Sequence, residues 1–359
     1  MKVKNSYKWL VFLFIWSNNL VLNAQEYSND SIPAEIKLYN KAIKLIDSTK
    51  YEQATQLLKN AVKIKKDYWE AINKMAYIKM KLLDYKGAIK DLEKAYKIYP
   101  LNYETIKLEG ICYYLQENYK ESKKMIDTAV YINHEEKLED PEIFYYQALL
   151  MFKGKSYKTA LLSCESALEL KPKYCEVMLL KAQVRFATKD YNYAVKELND
   201  AINCLPITKP DYMAYKLRAK SKFELGDYKG AIKDWNFYLD AIPREEEALV
   251  SRGASKINVN DHSGAITDLD EAIKLNSKNA VSYCYRGVAK GGNKNYVEAL
   301  KDLDYSIKLK FDYSTAYVNR AAIKMASKDK RGACEDLEKA DGLGNELAMK
   351  LYDKYCKQK

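Results

Sequence analysis

Residues 84–95 read DYKGAIKDLEKA, and variants of this segment recur along most of the chain. A small residue at the equivalent position identifies the copies: Ala54, Ala88, Ser122, Ala160, Ala194, Ala231, Ala265, Ala299 and Ala333. Successive copies are 34 residues apart, except for one interval of 38 and one of 37. A second small residue precedes each by twelve positions, as Ala76 precedes Ala88. This self-similarity indicates a repeat protein rather than a string of ordinary globular domains.

Each repeat is predicted to be two antiparallel helices, because small side chains allow helices to approach closely where they cross. In eight copies a residue that can cap a helix stands before the second one: Asp84, Asn118, Ser156, Asp190, Asp227, Asp261, Asn295 and Asp329. Such a side chain accepts a hydrogen bond from a free backbone N–H group of the first turn. Tyr occupies the next position in seven of the nine copies, six of them after one of these caps, which accounts for much of the total of 32. The sequence predicts eighteen helices over residues 35–341.

This pattern resembles the tetratricopeptide repeat, whose period is 34 residues and whose unit is helix–turn–helix. The resemblance implies an all-α, right-handed superhelical solenoid. The predicted repeats are residues 35–68, 69–102, 103–136, 141–174, 175–208, 212–245, 246–279, 280–313 and 314–341. Residues 342–359 are expected to form a capping helix that covers the last apolar face.

The first 24 residues differ from the rest and are typical of a secretory signal peptide. Lys2, Lys4 and Lys8 precede an apolar run from Trp9 to Trp16, and Ala24 offers a cleavage point. The run is much shorter than the roughly 20 residues that span a bilayer. We therefore expect export to the periplasm, outer envelope or extracellular space, with residues 25–34 as a short lead. The alternative is an uncleaved membrane anchor.

No motif in the chain argues for catalysis. The two histidines, His134 and His262, have no metal-ligating neighbour at helical spacing, and no phosphate-binding glycine loop is present. His262 occupies a tyrosine position and is expected to pack. The net charge of +11 is spread along the chain, which favours solvated helix faces over nucleic-acid binding. We expect a non-enzymatic protein without a metal or cofactor.

The seven cysteines could form disulfides after export. Cys334 lies in the last repeat and Cys356 in the predicted capping helix, so the two are a candidate disulfide. Free thiols are the alternative, because a sequence does not fix the distance between two Cα atoms. Cys164 occupies a position that is usually Leu and is expected to be a core thiol.

Oppositely charged residues recur together in the later repeats. The first helices carry Lys181, Arg218, Arg252, Arg286 and Arg320. Sixteen residues later, the second helices carry Glu197, Asp234, Asp268, Asp302 and Asp336. The spacing predicts a ladder of ion pairs between helices; Asp91, opposite Met75, is the exception. Trp235 and Tyr238 are larger than their equivalents in other repeats, and together with the three extra residues before this repeat they predict a local change of superhelix curvature.

Tetratricopeptide arrays usually bind partners along a concave surface lined by their first helices, so the resemblance implies a groove. The candidate groove residues are Tyr77, Tyr114, Tyr145, Phe152, Lys153, Phe186, Lys216, Lys220 and Phe223. Such a groove is expected to hold an extended or helical segment of another protein, and the lysines favour an acidic one. Two alternatives remain: the rings pack between repeats, or the groove binds a small molecule or glycan and the protein is a sensing adaptor.

Overall fold

The computed structural model describes residues 32–204 and 210–357, which form helices joined by short turns. No β-strand occurs within these two ranges. The all-α prediction is therefore confirmed for the described chain. The predicted signal peptide and its cleavage point lie outside the described residues, as do residues 205–209 of the insertion between two repeats.

The chain divides into two compact units, residues 1–138 and 139–359. The first contains α1 (Ala34–Asp47), α2 (Tyr51–Ile64), α3 (Trp69–Lys81), α4 (Tyr85–Ile98), α5 (Tyr103–Leu115) and α6 (Tyr119–Glu135). The second contains α7 (Pro141–Lys153), α8 (Tyr157–Leu170), α9 (Cys175–Ala187), α10 (Tyr191–Cys204), α11 (Tyr212–Glu224), α12 (Tyr228–Ala241), α13 (Glu246–Asn258), α14 (His262–Leu275), α15 (Ala280–Gly292), α16 (Tyr296–Leu309), α17 (Ser314–Ala326), α18 (Lys330–Gly342) and α19 (Glu346–Tyr355). Odd-numbered helices up to α17 are the first of a pair, and each packs on the helix that follows it.

The second helix of several pairs begins at an aspartate cap. The Asp84 Oδ1 atom accepts a hydrogen bond from the Gly87 N–H group at 2.8 Å, and Asp227 and Asp261 cap their helices in the same way. Glycine at this third helical position leaves room for the carboxylate, since a Cβ atom on Gly87 would collide with it. Ser156 and Asn295 were predicted to cap but form no such side-chain bond.

The small residues of the repeat lie where paired helices cross. Ala54, Ala88 and Ala265 are fully buried, as are the leucines four positions after each of them: Leu58, Leu92 and Leu269. Cys164 occupies this leucine position and is a fully buried free thiol, as predicted. Burial of alanine and leucine on both helices gives each pair an apolar seam, which is the main stabilising contribution to such helices.

The predicted ladder of ion pairs is confirmed. Arg252 of α13 donates to both carboxylate oxygens of Asp268 on α14, at 2.9 and 2.7 Å. Arg218, Arg286 and Arg320 bind Asp234, Asp302 and Asp336 through the same two-pronged contact, and Lys181 pairs with Glu197 at 3.0 Å. We call each of these sets a rung. Two parallel bonds orient the guanidinium group as well as binding it.

Each arginine rung has two further contacts that the sequence pattern did not reveal. A lysine one turn after the arginine binds the same aspartate, as Lys256 binds Asp268 at 2.8 Å. The arginine also reaches back to the preceding second helix: Arg286 binds Asp270 at 2.7 Å, sixteen residues before it. Asp91, the exception in the sequence, has no arginine partner and is bound by two lysines, Lys79 at 2.5 Å and Lys94 at 2.9 Å. A rung therefore joins three successive helices.

Two disulfides link the ends of helices in the second unit. Cys334 on α18 is bonded to Cys356 after α19, with the Cα atoms 5.8 Å apart. Cys175 at the start of α9 is bonded to Cys204 at the end of α10, with a Cα separation of 5.5 Å. The second bond was not predicted. The first holds the terminal helix α19, whose Ala348 is buried against the last pair.

Candidate partner-binding surface

The predicted aromatic stripe lies at the turns between paired helices. Phe152, Phe186 and Phe223 are the next-to-last residues of α7, α9 and α11. Each ring meets the tyrosine that begins the next helix, with centroid distances of 6.0 Å for Phe152–Tyr157, 5.6 Å for Phe186–Tyr191 and 5.3 Å for Phe223–Tyr228. The three-residue turn brings the two rings together. We call these three contacts the ring-pair row.

The rings of the row are half-buried, so they stabilise their own helix pair and still present a face to solvent. The residues that follow them, Lys153, Ala187 and Glu224, are exposed. Helices α7, α9 and α11 contact one another in sequence, which places successive ring pairs on neighbouring repeats. The row is therefore open rather than enclosed. Tyr114 and Tyr119 form the same kind of contact at 5.6 Å in the first unit.

The nine predicted groove residues are divided between the two units, and within the second unit they lie at two heights along the first helices. Tyr77 and Tyr114 belong to the first unit. In the second, Tyr145 and Lys216 lie at the fifth position of their helices and Lys220 at the ninth, well before the turns. The Tyr145 ring packs on Tyr146 and Tyr174, at 5.5 Å from each. The prediction grouped residues that lie at different positions along the first helix of each pair. Residues several turns apart on a helix can share a face without touching.

Two of the predicted lysines are bound by acidic residues of this same chain. Lys216 binds Glu245 at 2.5 Å and Glu247 at 2.6 Å, and Lys220 binds Glu247 at 2.5 Å. Burial alone would lower the pKa of Lys216, but the hydrogen bonds to both glutamates raise it overall. The two lysines correspondingly lower the pKa of Glu247. An acidic partner was expected because the predicted groove contains three lysines. Two of these three are paired with glutamates of the same chain.

Sequence reasoning missed the tyrosine half of each ring pair. The repeat pattern identifies Tyr157, Tyr191 and Tyr228 only as the residues after the cap, although each stands five residues after an aromatic residue of the predicted stripe. That constant offset across a short turn is the signal that could have identified the pairs. The glutamates that bind Lys216 follow 29 and 31 residues later, and no periodic signal connects them.

Comparison with known proteins gives a likeness of fold. No family model matches the chain, and no curated protein matches its sequence. Among solved structures, PilF of Pseudomonas aeruginosa aligns with a TM-score of 0.54 at 18% identity, over 60% of this chain and 95% of PilF. YrrB, described as a TPR protein with an unusual peptide-binding site, aligns with a TM-score of 0.47 at 19% identity, over 51% and 92%. The fold is that of the tetratricopeptide repeat.

Within the described part of these tetratricopeptide repeats, no helix is both long and apolar enough to cross a membrane. The same residues contain no group of three or more His, Cys, Asp or Glu side chains placed to hold a metal ion. His262 packs as predicted, since its ring lies against Gly292 of α15 and leaves no space there for a Cβ atom.

Proposed function

We propose that the protein is a non-enzymatic scaffold that binds a segment of another protein along the ring-pair row. The observation that supports this is that the same partly exposed aromatic pair recurs at the turns within three successive helix pairs. Solenoids of helical repeats present extended surfaces to partners in this way. Aromatic side chains contribute much of the binding free energy at protein interfaces, because they bury large areas and lose little conformational entropy.

The partner segment is proposed to be apolar where it meets the row. Lys216 and Lys220 are neutralised by Glu245 and Glu247, so they offer little attraction to an acidic ligand. Lys153, next to Phe152, is an exposed cation at the row, as are Lys155 and Lys189 in its turns, and these lysines would contact the edge of the segment. The open geometry supports a protein segment over a small molecule or glycan, since small ligands generally bind in concave sites that surround them.

We further propose that the protein is exported and works at the cell envelope. The basic and apolar composition of residues 1–24 supports this, as do the two disulfides, because such bonds persist mainly in oxidising compartments. The two features are independent, since one is the composition of residues 1–24 and the other is the pair of disulfides in the second unit. N-terminal sequencing of protein from its native host should begin at Gln25; an intact Met1 would contradict cleavage.

A photo-crosslinking residue at the exposed position Lys189, in the turn between Phe186 and Tyr191, tests the scaffold function in the native host. We expect one discrete protein adduct there. Substituting Phe186→Ala should weaken capture by about 1–3 kcal/mol, or roughly 5- to 150-fold, as for interface aromatics.

The matched control is Leu162→Ala, which removes an apolar side chain that is 55% exposed on the second helix α8. It should leave capture unchanged. Both variants are compared with the parent by thermal unfolding. Equal capture by the Phe186 variant, or no adduct at Lys189, would show that the row does not bind a protein.

A further inference from the structure

The rungs lie in α9–α18, and the earlier pair α5–α6, which is one of the pairs without a rung, has a cavity of about 480 Å³. In the rung of Arg286, the guanidinium group lies between Asp270, sixteen residues before it, and Asp302, sixteen residues after it. The three equivalent positions at α5 are Glu93, Glu109 and Met125. All three line the cavity. The position of the arginine is thus occupied by a shorter side chain of opposite charge.

Glu109 forms the buried floor of this cavity, with only 5% of the residue exposed. Its carboxylate accepts a hydrogen bond from the Tyr113 hydroxyl group. Glu93 faces it from α4, in the place where Asp270 and Asp304 bind the arginines of later rungs. The cavity is therefore lined by two carboxylates at a place where this fold elsewhere holds a guanidinium group.

The remaining walls suit an alkylguanidinium group. Ile106 and Met125 provide apolar contacts for a methylene stem, and the Tyr96 ring provides an aromatic wall. Arginine combines these properties, because its planar cation stacks on rings and its stem is apolar. Lys97 and Lys124 also line the cavity, but both are exposed. Glu109, in contrast, is the buried charge and stands at the arginine position of a rung.

We propose that this cavity binds the arginine side chain of a protein segment, which supplies in trans the cation that the other rungs supply from their own chain. Such a site goes beyond the ring-pair row, since all its residues lie within residues 1–138. It also points to a basic ligand residue, whereas the lysines of the predicted groove pointed to an acidic partner.

The test uses the full chain with its methionine methyl groups labelled for NMR, because Met125 lies in the cavity wall. The probe is N-acetyl-arginine N-methylamide. The neutral citrulline analogue, nearly identical in shape, is the matched control. We expect saturable shifts of the Met125 methyl signal with the arginine probe and none with citrulline. Met213, exposed on α11, serves as an internal reference.

Two variants decide the outcome. Glu109→Gln keeps the shape of the site but removes its buried charge, and should weaken arginine binding at least about tenfold. The double variant Glu109→Arg with Met125→Asp recreates a rung and should abolish binding while raising the melting temperature. Absence of a saturable shift, equal binding of citrulline, or unchanged binding by folded Glu109→Gln would overturn the proposal. No partner protein is used, so the result is independent of the ring-pair row.

Discussion

Tyr238 shows how one residue changes the packing of its repeat. Other repeats have Ala or Ser here, whereas the Tyr238 ring is only 3% exposed and meets Trp235 edge-on at 6.0 Å. Burial and a hydrogen bond with Glu245 raise the pKa of Tyr238 to about 12. This larger side chain is therefore accommodated inside the repeat. Its space comes from the neighbouring helix pair, whose Leu249 and Val250 belong to the same buried cluster.

Substituting Tyr238→Ala should destabilise the protein by about 3–5 kcal/mol, because it removes a buried ring and leaves a cavity. Tyr238→Phe should cost only about 1 kcal/mol, the usual contribution of one hydrogen bond. Chemical denaturation followed by circular dichroism measures both. The control is Tyr193→Ala, at a position that is 52% exposed, which should change little. Similar losses for Tyr238→Ala and Tyr193→Ala would contradict the burial.

Glu109 predicts a pH dependence of stability. Burial, followed by the repulsion from Glu93, raises the pKa of Glu109 to about 7. In the unfolded chain the carboxyl group titrates near its ordinary value of about 4.3. Between these values the folded state holds a proton that the unfolded state has lost, so stability decreases as the pH rises. The decrease is complete above the folded pKa.

We expect the free energy of unfolding to fall by roughly 2–3 kcal/mol between pH 4.5 and 8 on account of this group. Glu109→Gln should remove that component. The measurement is urea denaturation of both proteins across this pH range, with Glu136→Gln, at an exposed position after α6, as the control. Parallel pH profiles for the parent and Glu109→Gln would show that ionisation of Glu109 does not destabilise the folded protein.

At the scale of the helices, the rungs act as specific connections between elements. Asp268 on α14 is 3% exposed and binds both Arg252 and Lys256 of α13. Asp270, two residues later, is 45% exposed and contacts Arg286 of α15. The first is a buried carboxylate that depends on its partners, whereas the second is a surface contact. Their energetic roles should differ accordingly.

Asp268→Ala should destabilise the protein by about 3–5 kcal/mol, because it leaves Arg252 and Lys256 partly buried without their counter-charge. Asp270→Ala should cost less than about 1 kcal/mol, since an exposed pair contributes little. Equilibrium denaturation of the two variants, made on the same helix, gives a direct comparison. A cost for Asp270→Ala as large as that for Asp268→Ala would show that exposure does not determine the strength of a rung.

At the scale of the whole chain, stability comes from neighbouring helix pairs, so the ends of the array need protection. The Cys334–Cys356 disulfide ties α18 to the end of α19 and opposes fraying of the last helix. The Cys175–Cys204 disulfide joins both helices of one pair next to residues 205–209. Each bond stabilises the two helices that it joins, by limiting the freedom of the unfolded chain.

Alkylation of the denatured, unreduced protein should modify Cys112, Cys164 and Cys284 and leave the other four cysteines unmodified. Reduction should then expose all seven and lower the stability by about 2–4 kcal/mol for each disulfide. Peptide mass mapping and denaturation curves measure these effects. The double variant with Cys175→Ser and Cys204→Ser separates the contribution of that bond. Alkylation of all seven in material from the native host would contradict an oxidising location.

The features that repeat at a fixed offset could be predicted from the amino-acid sequence without a structure. Helix positions, buried small residues and the pairs sixteen residues apart follow from a local period, because equivalent positions in each repeat have the same geometry. Arg252 and Asp268 could be matched for this reason alone. The right-handed superhelix and the signal peptide remain predictions of the sequence.

Other contacts could be identified only in the three-dimensional structure. They join residues at sequence separations that do not repeat, or they depend on the position of a residue along its helix. Cys175 meets Cys204, and Lys216 meets Glu245, at separations that no period predicts. The turn between two paired helices places the Phe186 ring against Tyr191. The Tyr145 ring, also on a first helix, packs against Tyr174 instead. A repeat fixes which residues face a neighbouring helix, but the crossing and turn geometry fix which of them touch.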